Sequence, residues 1–239
     1  MDYKYHGIIL GKIDISETDR IYAIYTLESG KIGALAKGVK KPNAKLASAL
    51  EPITYSEIFI ARNRGKGKIT GAICVDNFSR VKRNLMTLER VFYIFRVLNQ
   101  LITQEEKDEE IFNLLLNYLK TLNKLIGDGI SDLKNDILAF GFIFKLLKKL
   151  GYGIQTEKCV SCSVKLASGE NYFSAERGGV LCANCSRAEI KKIKISDDSV
   201  KLIRIFFQNK IENFSKIKAK KKTLDNLKSI ANEALRWIG

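Results

Sequence analysis

Four of the five cysteines form two C-x2-C pairs, Cys159 and Cys162 in "CVSC" and Cys182 and Cys185 in "CANC", with nineteen residues between the pairs. Two residues between thiols let one tight turn aim both sulfurs at a single ion, and two such turns complete a tetrahedron of soft ligands for Zn2+. A fourth thiolate fills the coordination sphere and leaves no position for water, so the expected role is structural. One zinc ion would supply the folding energy of a polar, glycine-containing segment ("SGENYFSAERGG") that lacks a core of its own. Two other thiol chemistries fit less well. A disulfide framework is out of place in a reducing compartment. A redox pair needs a helix start behind its first cysteine, which "CVSCSVKLASG" does not offer. Cys74 lies within an apolar run and reads as a small core residue.

Catalytic constellations are otherwise missing. His6 is the only histidine, and it sits near the chain start with no partner in sight, as a bystander. Neither G-x-x-x-x-G-K-[ST] nor G-x-G-x-x-G occurs, and the glycine-lysine run "RGKGK" does not precede a helix, so it fails as a phosphate loop. Asp132 and Asp136 share a helical face, but an acidic first turn in water accounts for both. The expectation is a binding protein and not an enzyme.

What it binds is suggested by charge. Lys and Arg number 41 against 26 Asp and Glu, a net charge of +15. Such an excess costs self-repulsion, and a polyanionic partner is its usual justification; a lysine-rich background composition is the plain alternative. Two runs concentrate the charge. "AKGVKKPNAK" carries Lys37, Lys40, Lys41 and Lys45 around Gly38 and Pro42, and "RNRGKGK" carries Arg62, Arg64, Lys66 and Lys68. Glycine can take φ > 0 there and proline stiffens the turn. If both runs leave one barrel, their eight cations gather along one surface as a DNA-binding site. Tyr22, Tyr25, Tyr55 and Phe59 lie on the neighbouring strands, but period two sends about half of such residues to the core, so no stacking role is assigned to them.

The elements that must hold these runs follow from periodicity. In "RIYAIYTLESGKIGALAKG" Ile21, Ala23, Tyr25 and Leu27 share one face, the chain turns at Glu28-Ser29-Gly30, and Ile32, Ala34 and Ala36 resume the alternation. With "HGIILGKIDI" before and "PITYSEIFIAR" and "GKITGAICVDNF" after, there are five strands, with room for a short helix at 44–50 between the third and fourth. A closed barrel hides the edges of five short strands, and this order is that of an OB-fold. From Ser79 the period becomes helical, with Leu85, Leu88, Phe92, Phe95, Leu98 and Ile102 on one face. "EEKDEE" at 105–110 opens a second helix, and Ser131 caps a third that is apolar nearly all round from Ile137 to Leu147. Gly151 and Gly153 stop that helix, Ser196 caps another through Phe207, and a last one runs from about Thr223 to Trp237. The expected class is α+β: an OB-fold over 1–78, then a helical domain over 79–239 with a four-cysteine insertion at about 155–190. "MDYKYHGIIL" has no secretory pattern, and "ILAFGFIF" falls far short of the roughly 20 apolar residues a membrane span takes. A cytoplasmic, nucleoid-associated protein without membrane contact is expected.

These residues resemble a known family. "GIILGKIDISETDRIYAIYTLESGKIGALAKGVKKPNAKLASALEP" is similar to the N-terminal domain of the bacterial RecO family of DNA-repair proteins, through the opening G-I-I-L strand, "ETDR" at 17–20, the G-K hairpin, the lysine run and "LEP". "LGYG" at 150–153 and "FSAERGGVLCANC" match a second stretch, where many members carry four cysteines. Positions often Arg in the family are mostly Lys here; lysine neutralises phosphate as a point charge without bidentate geometry. The resemblance implies an OB-fold, a helical domain with a zinc-binding insertion, and a recombination mediator. Such proteins bind single- and double-stranded DNA, anneal complementary strands and help load RecA onto DNA coated with single-stranded-DNA-binding protein. The implied partners are RecR, in many species RecF, and the acidic C-terminal tail of the single-strand-binding protein. For that tail, Lys145, Lys148 and Lys149 beside "FGFIFKLLKKL" could flank an apolar pocket, although a core helix with a solvated basic face is the plainer reading of each. Two rival functions remain: a zinc-containing RNA- or ribosome-associated protein, and a scaffold whose charge serves solubility alone.

Overall fold

The computed structural model describes residues 2–62, 67–103, 105–127 and 129–239. β1 (Asp2–Asp14), β2 (Arg20–Thr26), β3 (Gly30–Ala36), β4 (Tyr55–Ala61) and β5 (Gly67–Asp76) close into a barrel of order β1-β2-β3-β5-β4. The long β1 makes this possible. Its first half pairs with β4 and its second with β2, and a register shift between Ile9 and Gly11 bends it round the corner. The barrel closes through a short parallel pairing, Ala34 with Gly67 and Leu35 with Lys68. This is the five-stranded OB topology. A single 3-10 turn, Ser48–Leu50, stands where the short helix was expected.

Alternation fills the interior with Tyr5, Ile9, Tyr22, Ile24, Ile32 and Ile58. The face shared by Ile21, Ala23 and Tyr25 is therefore turned away from the barrel interior, and it is covered as well: Tyr25 is fully buried and Ile21 and Ala23 are half-buried. Cys74 is exposed and is not a core residue. β5 meets β3 only at its first two residues, so its second half has β4 alone beside it, and Ile73 and Val75 are exposed with the cysteine.

Strand gives way to helix at Phe78, a buried residue at φ +45° whose N–H donates to Asp76 Oδ1 at 2.9 Å. α1 (Ser79–Arg83), α2 (Leu85–Leu101) and α3 (Glu109–Gly127) follow. The Asn84 side chain caps α2, and Asp108 Oδ1 accepts from Ile111 N–H at 2.9 Å at the head of α3. The buried side of α2 is built from Val91, Ile94, Phe95, Val97 and Leu98, whereas Leu85 and Phe92 of the expected stripe are 70% and 41% exposed. Two apolar stripes overlap in this sequence at helical spacing, and packing selects the one rich in β-branched side chains. These helices lie against the barrel: Lys82 Nζ donates to Thr54 Oγ1 at 2.7 Å, Lys31 Nζ to Asn99 O at 3.1 Å, and Tyr55 meets Phe112 ring to ring at 6.1 Å. By contacts the chain divides between Asn123 and Lys124, later than the change of secondary structure at Phe78.

In the second unit α4 (Asp132–Lys149), capped by the Ser131 hydroxyl, is buried on every side from Ile137 to Leu147 except at Lys145. Gly141 lets Phe214 and Phe206 approach; a Cβ there would stand 2.4 Å from the Phe214 ring atoms. A ribbon of β6 (Asn171–Ser174), β7 (Gly179–Cys182) and β8 (Ile193–Ile195), ordered β7-β6-β8, carries the one-turn α5 (Ala183–Ser186). α6 (Asp197–Gln208), a 3-10 stretch at Ile211–Lys216 and α7 (Lys221–Ile238) complete the unit. Asn226 of α7 pins the ribbon, donating to Lys194 O at 2.8 Å and accepting from Ser196 N–H at 3.0 Å. No helix among the described residues is long and apolar enough to cross a membrane.

Candidate nucleic-acid interface and metal centre

The basic loop after β3 is built as one piece with the loop between β1 and β2. Gly38, at φ +66°, turns its N–H toward Asp19 Oδ1 and donates at 2.8 Å, while the Thr18 hydroxyl donates to the same oxygen at 2.8 Å. Lys40 N–H donates to Thr18 O at 3.1 Å. The Gly38 and Thr18 hydrogen bonds hold the Asp19 carboxyl below its ordinary value, helped by Lys37 and Lys41 nearby. Asp14, at the end of β1, takes Arg20 Nε at 2.7 Å and Lys40 Nζ at 2.9 Å, and these bonds lower its pKa as well. Lys37, Lys41 and Lys45 are exposed and form no ion pair among the described residues. Of the four lysines expected here, three therefore present free charge and Lys40 is neutralised within the protein.

Of the second run, the two outer cations, Arg62 and Lys68, lie among the described residues. Arg62 pairs with Glu105 at 3.0 Å, and the backbone of the adjoining Glu106 closes over Gly30, the first residue of β3. Lys37 follows the last residue of β3. Arg62 follows Ala61, whose partner Lys68 pairs in turn with Leu35 near the end of β3, and its charge is compensated by Glu105 within the protein. Lys68 is exposed on β5 opposite Leu35 and Ala61. Arg64 and Lys66 lie outside the described residues. No stacking surface comes from Tyr22 or Tyr25, which are fully buried.

The four cysteine sulfurs converge. Cys159 and Cys162 flank the turn before the ribbon, Cys182 ends β7 and Cys185 sits on α5; all four Sγ atoms lie within 4.8 Å of one another. Cys162 and Cys182 are 3.9 Å apart. Tetrahedral zinc with Zn–S bonds of about 2.3 Å sets sulfurs about 3.8 Å apart, whereas a disulfide needs about 2.05 Å. The separation fits an ion and not a bond. Burial resists ionisation of Cys159, but the backbone amides of Cys162, Cys182 and Ser161 outweigh it and bring the thiol down to about 6. Cys185, hydrogen-bonded to Cys162, is pushed up to about 12. One thiolate is ready to receive a metal, and further ligands ionise as it binds.

Three features escaped the sequence. His6 has partners after all: Nδ1 lies 2.7 Å from Glu28 and Nε2 3.4 Å from Glu57, carboxylates brought to it by β-pairing. Lys145 is a structural residue, donating to Phe206 O at 3.0 Å and Asn209 O at 2.7 Å at the end of α6, and its burial lowers its pKa. Lys148 instead lines a cavity of about 290 Å³ with Arg204, Phe207 and residues 153–157, its ammonium 4.9 Å from the centre of the Phe207 ring. Only α4 and α6 packed together reveal that cavity.

Comparison with known proteins covers both units. Residues 1–78 match the family model "Recombination protein O N terminal" and residues 86–237 match "Recombination protein O C terminal". The DNA repair protein RecO of Dehalococcoides mccartyi is 30% identical over 237 residues, 99% of this chain and 90% of that protein. Those of Halalkalibacterium halodurans and Bacillus subtilis are 28% and 26% identical, over 98% and 95% of this chain and 88% and 86% of their own lengths.

Proposed function

The chain belongs to the RecO family of DNA repair proteins, and from that premise we propose that it is a recombination mediator without a reaction of its own. It binds single- and double-stranded DNA, anneals complementary strands, and with RecR, and RecF where that protein is used, helps load RecA onto DNA coated with single-strand-binding protein. The observation that carries this reading is the braced 37–45 loop, which keeps Lys37, Lys41 and Lys45 exposed and outside any ion pair among the described residues. Point charges on a rigid turn neutralise phosphate irrespective of base, so two strands approach with less repulsion and base pairing supplies the specificity. One Zn2+ on Cys159, Cys162, Cys182 and Cys185 cross-links the ribbon, and its full sphere of thiolates makes it structural.

The acidic tail of the single-strand-binding protein finds its chemistry in the α4–α6 cavity. Lys148 and Arg204 offer cations and Phe207 an apolar wall. Glu157 now pairs with Arg204 at 3.0 Å, so an incoming carboxylate must compete for that guanidinium. The site of action is the cytoplasm, at the nucleoid.

Strand annealing with and without single-strand-binding protein, followed by oligonucleotide binding across a salt titration, tests the proposal. Annealing together with a steep negative slope of log K against log[salt] is expected. A flat slope removes DNA neutralisation, and tighter binding of structured RNA than of DNA favours the RNA-associated alternative.

A further inference from the structure

The densest run of unpaired charge among the described residues belongs to the second unit. Residues 215–222 read "SKIKAKKK", and Lys216, Lys218, Lys220, Lys221 and Lys222 are all exposed. None forms an ion pair among the described residues, in contrast to Lys40 and Arg62. Exposure alternates over 216–220: the three lysines face water while Ile217 and Ala219 are half-buried. Ile217 (φ −72°, ψ 137°) and Lys220 (φ −79°, ψ 150°) have extended backbones. An extended chain advances at most about 3.3–3.6 Å per residue, so alternate lysines stand roughly 6–7 Å apart. That is comparable to the spacing of phosphates along an extended single strand.

Local stability gives no reason for this pattern. The first turn of α7 holds Lys221 and Lys222, contains no acidic residue and has no capping side chain. Cations there oppose the helix dipole. The heads of α4 and α6 are built the other way, each with a serine cap and acidic residues in the first turn. A surface that breaks local rules without a packing gain is where function is expected.

We propose that the lysine strap 216–222 is a second binding site for the backbone of single-stranded DNA, separate from the barrel loop, so that one chain holds two strands. The inference rests on the annealing reading above and names a site for the second strand. The strap contacts phosphates alone: it carries no exposed aromatic, and its apolar residues, Ile217 and Ala219, are turned inward. Binding there is base-independent and salt-sensitive. A membrane surface would call for exposed apolar side chains beside the lysines, which the strap does not show.

Lysine acetylation footprinting of the native full-length protein tests the assignment without any substitution. Oligo-dT is expected to protect Lys218, Lys220 and Lys222 as well as Lys37 and Lys41. Protection by anionic vesicles or by duplex DNA, but not by oligo-dT, overturns the single-strand assignment. In parallel, the triple variant Lys218→Gln, Lys220→Gln and Lys222→Gln should make the salt slope on oligo-dT shallower by about 2, at about 0.7 per lost contact, and slow annealing. If that variant leaves slope and annealing unchanged while Lys37→Gln, Lys41→Gln and Lys45→Gln impairs both, the strap is not a site and the annealing reading stands. If neither variant changes the slope, the reading of the protein as a DNA-neutralising mediator falls, and the strap with it.

Discussion

Asp14→Asn should make this protein bind DNA more tightly. Asp14 takes Arg20 Nε at 2.7 Å and Lys40 Nζ at 2.9 Å, beside a loop whose other lysines are unpaired. An internal carboxylate keeps a cation from releasing counterions on DNA, because the charge is already compensated. Each phosphate contact on a single strand contributes about 0.7 to the slope of log K against log[salt]. Freeing Lys40 alone should steepen the slope by about 0.7, and freeing Arg20 as well by about 1.4. Over a fourfold rise in salt these values make the loss of affinity about 2.5-fold to 7-fold larger than in the parent. The assay is fluorescence anisotropy of labelled oligo-dT across a salt series, with Lys40→Gln and the double variant closing a cycle. In the parent, Lys40→Gln should matter less than Lys41→Gln; in the Asp14→Asn background it should cost a full contact. A slope unchanged by Asp14→Asn, with Lys40→Gln as damaging as Lys41→Gln, would refute the argument that local pairing decides which lysines serve DNA.

The remaining expectations concern the metal, the brace, the packing and the cavity. Metal analysis of the purified chain should give one zinc per molecule, and Cys162→Ser should lower its affinity and the thermal stability of the ribbon. The Asp19 pKa lies below its ordinary 3.8, and a depressed carboxyl contributes stability above its unfolded value that is lost as pH falls through the folded one. The Gly38 amide resonance, reporting that bond, should hold its position at neutral and mildly acid pH and titrate with a midpoint below 3.8. Gly141→Ala drives a methyl against Phe214 and should destabilise the protein by about 1–3 kcal/mol in chemical denaturation. Lys148→Glu should weaken binding of an acidic tail peptide, read by calorimetry, while the salt slope on oligo-dT stays as it was.

Much of this molecule is legible one short window at a time. The C-x2-C turns, the serine caps of α4 and α6, and the positive φ of Gly38 depend on neighbours within a few residues, which the chain states directly. The stretch of α4 from Ile137 to Leu147, apolar but for Lys145, also announces its central place, since nothing but burial suits such a surface. Errors arose where the same pattern permitted two outcomes. Leu85 and Phe92 share a stripe that the packing of α2 leaves in water, and Cys74 lies in an apolar strand whose far half has lost its second neighbour.

Charge is where order along the chain and position in space part company. Composition alone determined that the surface carries a large positive excess, and spacing alone determined where four thiols would meet. Which cations remain available was decided by folding: Lys40 meets Asp14 and Arg62 meets Glu105 across 26 and 43 residues of chain, so both are compensated within the protein. Coulomb interactions depend on separation through space and on what lies between. No reading of one residue after another supplies those distances until the strands have paired and the barrel has closed.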